Sequence, residues 1–314
     1  MNTTSSSSLS SKISQRITHI KNNTTSGATE ITIDGVKTLL LLLEKMKTPS
    51  IETTLQQIQT TLHQIINAQP LMASLFTYVN NTLLFLQQNQ FETNSELKTK
   101  LFDHSKSFLE ALQTGNDLIS NHATSLIPKQ ATIYTYSHSS TVRETIMSAS
   151  KQGKQIKVHC SESRPKDEGI DLAKKLTAEA IPTVLSTDVA LFSTIRHADL
   201  LLIGADAITT EGIVHKIGSL SLVQLAAQYH IPVYSLSVKE KMLPLSYQLP
   251  KESSKNPADI FSEDIPYLQV ANYFFDYSPL HLFTNIVTQK GVFSPQEIEQ
   301  SMNQLPLHYS LKNK

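Results

Sequence analysis

A change in hydrophobic period near residue 123 is the feature that most constrains how this chain folds. Before it, apolar residues recur every three or four positions, as they do on one face of an amphipathic helix. One such stripe is formed by Ile51, Leu55, Ile58, Leu62 and Ile65. After it, short runs rich in β-branched and aromatic residues alternate with segments that suit helices. The sequence therefore predicts a helical region followed by a region of mixed strands and helices.

The second region has the spacing of a parallel α/β domain. The predicted strands are 132–136, 155–160, 182–186, 199–204 and 232–236, and the predicted helices are 141–151, 167–178, 219–229 and 295–305. Strands that alternate with helices imply parallel pairing through right-handed crossovers. The predicted fold class is α/β, with a helical N-terminal domain followed by a Rossmann-like parallel-sheet C-terminal domain. We expect a disordered Ser/Thr-rich tail at 1–12, the helical domain at 13–122 and the Rossmann-like domain at 123–314.

Composition narrows the functional classes. The 27 basic and 27 acidic side chains give a formal net charge of zero, which argues against direct nucleic-acid binding because that needs a basic surplus. A single cysteine, Cys160, excludes an internal disulfide and a Cys-pair metal site, and fits a reducing cytoplasm. The longest aliphatic run, 39–43, is too short to cross a bilayer, so we expect no membrane partner. No GxGxxG stands in the sequence, and we expect no cofactor.

Ligands of parallel sheets bind beyond the carboxyl ends of the strands, where a hydroxyl-rich turn is predicted first. It carries Ser137, His138 and Ser139 between a predicted strand and a helix. Free backbone N–H groups and hydroxyls at a helix start bind anions, but the same residues also serve as plain helix caps. His138 either titrates near neutrality or only bonds a loop carbonyl. Both interpretations of the turn stay open on the sequence.

Two further segments follow predicted strands. Arg164 offers a guanidinium fork for a phosphate or carboxylate, or it pairs with Glu162 or Asp167 on the surface. Asp206, after the apolar strand at 199–204, acts as a base, holds sugar hydroxyls, or simply forms a turn. Each of these alternatives is about equally compatible with the residues.

A fourth segment, 215–219, is predicted to open a helix. Its Lys216, which follows His215, either meets a phosphate or is solvated. Each of the four signals is weak when taken alone. Their order and spacing along the chain are much more specific.

The succession of motifs resembles the initiation factor 2B alpha/beta/delta family, which includes methylthioribose-1-phosphate isomerase and ribose-1,5-bisphosphate isomerase. The motifs are Thr-Tyr-Ser-His-Ser at 135–139, Glu-Ser-Arg-Pro at 162–165, Ser-Thr-Asp at 186–188, Gly-Ala-Asp at 204–206, Lys-Ile-Gly at 216–218 and Phe-Asp-Tyr-Ser-Pro at 275–279. A weaker likeness covers 21–30 and 69–75. The resemblance implies dimerisation through the C-terminal domain and a pocket for a phosphorylated ligand between the domains. It also places Gly27 and Ala28 among the ligand-binding residues.

The same resemblance exposes departures from the isomerases. Their acid/base pair is a cysteine and an aspartate, and the matching positions hold Ser137 and Asp206. A serine hydroxyl is a far weaker acid than a thiol. Two arginines of the isomerases are replaced by Ser26 and Gln69, and an asparagine before the lysine is replaced by His215. Loss of two guanidinium groups weakens the binding of a doubly phosphorylated sugar.

The resulting expectation is a non-catalytic regulatory or scaffold protein, in a homodimer or hetero-oligomer, that binds a sugar phosphate or nucleotide. The family resemblance connects it with the translation-initiation machinery. The alternative is an aldose–ketose isomerase of a phosphorylated pentose with Asp206 as the base and Ser137, His138 or water in place of the thiol. A third class is an interaction protein whose pocket is vestigial.

Overall fold

The computed structural model describes residues 4–23 and 27–312 of the chain. These residues form two compact units. The helical unit takes its residues from 1–114, 240–250 and 305–314, and the α/β unit consists of 115–239 and 251–304. The sequence-based domain limits, 13–122 and 123–314, differ from this division and remain a prediction.

Five consecutive helices make up most of the described chain up to Thr124, as the apolar spacing predicts. They are α1 Thr4–Asn22, α2 Ala28–Lys45, α3 Ile51–Ala68, α4 Ala73–Gln88 and α5 Asn94–Thr124. Helix α1 thus begins inside the segment 1–12 that the sequence predicts to be a disordered tail, and it is anchored by the buried side chains of Ile13 and Ile20. Helix α2 approaches its neighbours closely at Gly35, where a Cβ atom would lie 2.4 Å from Leu75 Cδ1.

The α/β unit contains two sheets. Its strands are β1 Gln130–Thr135, β2 Gln155–Ser161, β3 Thr183–Ser186, β4 Leu200–Gly204, β5 Ala207–Thr209, β6 Gly212–Lys216, β7 Val233–Leu236, β8 Phe275–Ser278, β9 Asn285–Thr288 and β10 Gly291–Phe293. Its remaining helices are α6 Ser140–Lys151, α7 Glu168–Ala178, α8 Asp188–Thr194, α9 Ser219–Gln228 and α10 Pro295–Asn303. Strand order in the larger sheet is β10-β9-β7-β4-β1-β2-β3.

The five strands predicted from the sequence all lie in this larger sheet and pair in parallel. Strand β1 is central, with Ile133 opposite Val158 of β2 on one side and opposite Leu200 of β4 on the other. The β4 residues 200–203 are buried, as expected of a strand covered on both faces. Because β1 and β4 are parallel neighbours, the segments that follow them begin at the same edge of the sheet.

The second, smaller sheet was not visible in the sequence. It is antiparallel, with strand order β5-β6-β8, and it places His215 and Lys216 on a strand rather than at a helix start. Helix α9 begins only at Ser219. The helix start predicted at 219 is confirmed. The strand before it was not predicted, because its pairing partner, Asp276 and its neighbours, lies some 60 positions further along the chain. A local sequence pattern does not predict pairing between strands that lie so far apart in the chain.

Strands β9 and β10 were also missed, and β10 runs antiparallel to β9 at the sheet edge. The predicted long loop at 244–264 has no strand and only a short 3₁₀ turn at Pro257–Asp259. Along the described ranges, none of the helices combines the length and apolarity needed to traverse a bilayer.

Candidate functional site

Ser137, at the acid position of the motif, is held in a defined conformation at the end of β1. Its φ is 65°, in the left-handed region that non-glycine residues seldom adopt. Its backbone N–H donates to Ser163 Oγ at 2.9 Å, and its own hydroxyl donates to Glu168 Oε1 at 3.0 Å. The serine hydroxyl is therefore already committed to a carboxylate.

The same carboxylate oxygen pairs with a buried lysine. Lys216 Nζ lies 2.7 Å from Glu168 Oε1, and the lysine side chain is only 6% exposed. The other oxygen, Glu168 Oε2, is buried and has no hydrogen-bond partner among the described residues. We call Ser137, Glu168 and Lys216 the serine–glutamate–lysine cluster. It joins the ends of β1 and β6 to the first residue of α7.

Glu168 is a candidate site residue that sequence reasoning missed. It is held at the sheet edge by Gly169, where a Cβ atom would lie 1.8 Å from the Ser161 carbonyl oxygen. Helix α7 reaches β2 this closely only because residue 169 has no side chain. An acidic residue followed by glycine at a predicted helix start, just after the 162–165 motif, was the available signal.

A tyrosine hydroxyl extends the polar region. Tyr136 donates its hydroxyl to the Ile217 carbonyl at 2.9 Å. Burial raises the pKa of Tyr136, and the carboxylates of Asp188, Glu168 and Asp276 raise it further. Gly218, with φ 97°, leaves room for this ring, since a Cβ there would lie 2.9 Å from the tyrosine oxygen. Three carboxylates thus act on the Tyr136 hydroxyl, whereas the cluster contains a single ammonium group, that of Lys216.

Asp276 and His215 form a buried pair on adjacent strands. Asp276 Oδ2 accepts the N–H groups of Gly218 at 2.8 Å and Leu220 at 3.1 Å, while Oδ1 is buried without a donor among the described residues. Burial raises the pKa of Asp276 to about 6, although these two N–H groups oppose the shift. His215 Nε2 lies 2.7 Å from Ser278 Oγ and 3.9 Å from Asp276 Oδ1. Burial lowers the pKa of His215 to about 3, so its ring is neutral near pH 7.

Three lysines converge on the Phe274 ring. The Nζ atoms of Lys216, Lys255 and Lys166 lie 5.4, 5.5 and 5.6 Å from the ring centroid. Each ammonium group also pairs with a carboxylate. Lys216 pairs with Glu168 at 2.7 Å, Lys255 with Glu252 at 3.3 Å and Lys166 with Asp259 at 2.7 Å. Cation–π contact and ion pairing together hold these ammonium groups in place. The Lys216 ammonium thus contacts both the Phe274 ring and the Glu168 carboxylate.

Ser139 caps helix α6, as one of the two interpretations of the turn predicts. Its Oγ accepts the Val142 N–H at 3.4 Å. The residue also packs against the end of β4, because a Cβ atom at Gly204 would lie 2.6 Å from Ser139 Cβ. Gly204 stands two positions before Asp206, and Ser139 stands two positions after Ser137. The segments that carry the two candidate acid/base residues are therefore in contact.

His138 lies in a mostly charged setting. Its Nε2 is 3.4 Å from Arg143 Nη1, and its Nδ1 is 3.7 Å from Asp171 Oδ2. Burial lowers the pKa of His138, and the nearby charges of Lys175 and Arg143 lower it further, although Asp171 opposes them. A neutral imidazole is therefore favoured near pH 7.

Arg164 is paired on the surface, as one of its alternatives predicts. Its guanidinium lies 3.4 Å from Asp167 Oδ2 and donates to the Asp259 carbonyl at 2.9 Å. Asp206 is half-buried between β4 and β5, and its backbone N–H donates to the Val214 carbonyl at 2.7 Å. Arg164 thus stands with the exposed loop near Asp259, while Asp206 stays at the strand ends.

Gly27, Ala28 and Gln69 belong to the helical unit. Gly27 precedes α2, and no atom lies within 4 Å of the position of a Cβ there; Ala28 is the first, buried residue of the helix. Gln69 Nε2 contacts three carbonyls at the end of α1 and just beyond it, those of Ile20, Lys21 and Asn23, at 2.9, 3.3 and 3.1 Å. The Gln69 side chain therefore closes a helix end. Ser26, the other position at which the family resemblance predicts the loss of an arginine, lies outside the described residues.

The single thiol stands apart from these groups. Cys160 lies on β2 with no exposed surface, and burial raises the pKa of its sulfhydryl to about 11. It is a neutral core residue. Within the described ranges, no group of three His, Cys, Asp or Glu side chains is placed to hold a metal ion.

A mostly parallel sheet with helices between its strands, and polar residues at the strand ends, defines a Rossmann-like α/β protein. The chain belongs to the Initiation factor 2 subunit family, whose model matches residues 24–295. This confirms the family predicted from the motifs.

Its relatives carry two kinds of name. A putative translation initiation factor eIF-2B subunit 2-like protein of Pyrococcus furiosus is 28% identical over 288 residues, or 91% of this chain and 98% of that protein. Ribose 1,5-bisphosphate isomerase of Methanocaldococcus jannaschii is 27% identical over 237 residues, or 74% and 75%. The crystal structure of Pyrococcus horikoshii translation initiation factor eIF-2B matches with a TM-score of 0.76 at 24% identity, covering 91% of this chain and 98% of that one. That last likeness concerns the fold.

Proposed function

We propose that this chain is a non-catalytic regulatory or scaffold protein that binds a sugar phosphate or nucleotide and acts within an oligomer. The observation that carries the proposal is the state of Ser137. Its hydroxyl replaces a thiol and donates to Glu168, whose charge is balanced by Lys216. An alcohol is a far weaker acid than a thiol, which disfavours proton transfer from Ser137 near neutral pH. Cys160, fully buried and protonated, supplies no substitute.

The direct test is an assay of the purified chain with ribose-1,5-bisphosphate and with methylthioribose-1-phosphate. We expect no turnover above that of an Asp206→Asn variant with either sugar. Steady conversion of one of them by the wild-type chain, lost in Asp206→Asn, refutes the proposal.

An isomerase is the second candidate, and one contact favours it. Glu168 Oε1 lies 3.0 Å from Ser137 Oγ, within the range for proton transfer between a hydroxyl and a base. In this alternative Asp206 and the Ser137–Glu168 pair move the two protons of an aldose–ketose conversion. The Ser137→Cys variant separates the alternatives. An isomerase gains or keeps activity with a thiol at this position, whereas a scaffold stays inactive and keeps its partner.

Self-association through the α/β unit is supported by an apolar surface. Its exposed large side chains are Val184, Leu185, Val189, Ile260, Phe261, Ile265, Leu268 and Tyr273. The two segments that carry them are tied together, since the Arg164 N–H donates to Asp188 and the Arg164 side chain donates to the Asp259 carbonyl. Large apolar side chains exposed on two segments that are tied together favour a protein interface.

We propose that a second copy of this chain, or a related subunit, covers this apolar surface. The test is molar mass by light scattering for Val189→Glu, which alters a side chain that is 76% exposed. We expect this variant to be a monomer and the control Leu118→Glu, at an exposed leucine elsewhere in the unit, to keep the wild-type mass. A monomeric wild-type chain at all concentrations contradicts the proposal. Involvement in translation initiation and a cytoplasmic location remain part of the same proposal.

A thermal-shift screen distinguishes a ligand sensor from a chain with a vestigial pocket. A ligand that binds only the folded state raises the melting temperature by mass action. We expect at least one sugar phosphate or nucleoside monophosphate at millimolar concentration to stabilise the chain. No response across such a panel favours the vestigial case.

A further inference from the structure

The serine–glutamate–lysine cluster has hydrogen-bonding capacity that the protein itself does not use. A lysine ammonium has three N–H donors, and Lys216 meets only two partners, one carboxylate oxygen and the face of Phe274, among the contacts of its ammonium group. Glu168 Oε2 is a buried acceptor without a donor among the described residues. Ser137 gives its proton to Glu168 and keeps lone pairs on Oγ. One spare donor thus stands beside spare acceptors.

A hydroxyl group satisfies such a set, because it accepts and donates at once. It accepts from Lys216 and donates to Glu168 Oε2. A buried carboxylate oxygen without a donor is costly, so the group that completes it has a large effect on binding. A phosphate dianion has no proton to donate and leaves Glu168 Oε2 unsatisfied.

The charges around Lys216 also disfavour direct binding of a phosphate group to its ammonium. Glu168 already lies 2.7 Å from its ammonium, and the carboxylates of Asp188 and Asp276 act with Glu168 on the Tyr136 hydroxyl. A phosphate bonded to Lys216 therefore meets a like charge in the next position, at a site that is mostly shielded from water. The sequence-based expectation that Lys216 meets the phosphate directly does not follow from this geometry.

We propose that Glu168 sets the ligand preference of this site by masking the charge of Lys216, so that a hydroxyl group of the ligand binds the cluster and phosphate is rejected there. The inference rests on the proposed function, in that the ligand is a phosphorylated polyol such as a sugar phosphate. It assigns the hydroxyl-bearing end of that ligand to Ser137, Glu168 and Lys216. The phosphate then lies away from the cluster.

The Glu168→Gln substitution tests the masking. Glutamine keeps the shape and an acceptor for Lys216 but removes the negative charge, which exposes the ammonium to anions. We expect the dissociation constant of inorganic phosphate to fall about tenfold or more, the usual size of a hydrogen bond to a charged group. We expect the preference for ribose 5-phosphate over inorganic phosphate to shrink by a similar factor.

The measurement is isothermal titration calorimetry of the full chain with inorganic phosphate, ribose and ribose 5-phosphate. Glu179→Gln is the matched control, because Glu179 is exposed at the other end of the same helix. Ser137→Ala is the second variant, and it removes a hydroxyl without changing charge. We expect it to weaken ribose 5-phosphate binding about fivefold and to leave phosphate unchanged. Melting temperatures of all variants establish that they are folded.

Unchanged phosphate affinity in folded Glu168→Gln overturns this inference. So does a ribose 5-phosphate preference that neither variant reduces, and in that case the proposed function still stands. If phosphate binds Glu168→Gln tightly but no sugar phosphate or nucleotide binds the wild-type chain, the masking stands and the proposed function fails.

Discussion

Replacing Asp276 with asparagine should stabilise the protein, and more so at pH 7.5 than at pH 4.5. Asp276 Oδ2 accepts two N–H groups at the start of α9, but Oδ1 is buried without a donor in the described part of the chain. Burial raises the pKa of this carboxyl from 3.8 to about 6. Asparagine retains an acceptor for the two N–H groups and never ionises.

The magnitude follows from the shift in pKa. A difference of about two units between the folded and unfolded chain corresponds to about 3 kcal/mol between the two protonation states. Because the folded pKa is raised, the contribution of Asp276 to stability is complete below pH 3.8 and is lost as the pH rises through about 6. The linkage relation gives a loss of about 1 kcal/mol at pH 4.5 and about 3 kcal/mol at pH 7.5. The gain from asparagine should therefore grow by about 2 kcal/mol between these conditions.

Urea unfolding followed by far-ultraviolet circular dichroism measures this difference, since the chain has no tryptophan to report by fluorescence. His215, the titratable neighbour 3.9 Å away, is present in both proteins and its own pH dependence cancels in the comparison. Asp264→Asn, at an exposed loop position, is the control and should change stability equally at both pH values. A gain from Asp276→Asn that is the same at pH 4.5 and pH 7.5, within about 0.5 kcal/mol, refutes the reasoning.

Three further outcomes are expected. Gly169→Ala places a Cβ 1.8 Å from the Ser161 carbonyl oxygen and should lower the free energy of unfolding by about 3 kcal/mol. The control Gly27→Ala places its Cβ where no atom lies within 4 Å and should be nearly neutral. Equal melting temperatures for the two variants contradict this prediction. Gln69→Ala removes the amide that closes α1 and should cost about 1–2 kcal/mol, with faster hydrogen exchange in that helix as the check. Cys160 should react with a thiol reagent at pH 8 only after unfolding, because it is buried and its pKa is about 11; labelling of the native chain at the unfolded rate rules this out.

The larger sheet was predictable because each of its five predicted strands is a compact apolar or β-rich run next to its own helix. Strand β4 is an example, with Leu200 to Ile203 buried and Asp199 before it. Such a unit carries its period and its turn residues within about 30 positions. The small antiparallel sheet carries no such signal, since β6 and β8 are separated by α9, β7 and the long loop at 244–264.

The sequence identified candidate positions for the site but not the contacts that join them. Ser137 and Lys216 were identified as candidate residues, and they do meet, but only through Glu168, which no motif indicated. For Arg164 the sequence left an anion fork and surface pairing with Glu162 or Asp167 equally open, and the structure pairs the side chain with Asp167 and the loop carbonyl of Asp259. Which of several charged groups share a partner depends on distances between distant segments of the chain.

By itself, the sequence determined the two regions, five of the parallel strands, the family and the presence of a serine rather than a cysteine at position 137. These are properties of periodicity and residue type, which are local and survive without coordinates. Only the tertiary structure decided that Lys216 pairs with Glu168, that Ser137 donates to the same carboxylate and that Asp276 Oδ1 is buried without a donor among the described residues. Charge and protonation depend on burial and on neighbours across the fold, because a low-polarity interior makes each partner decisive.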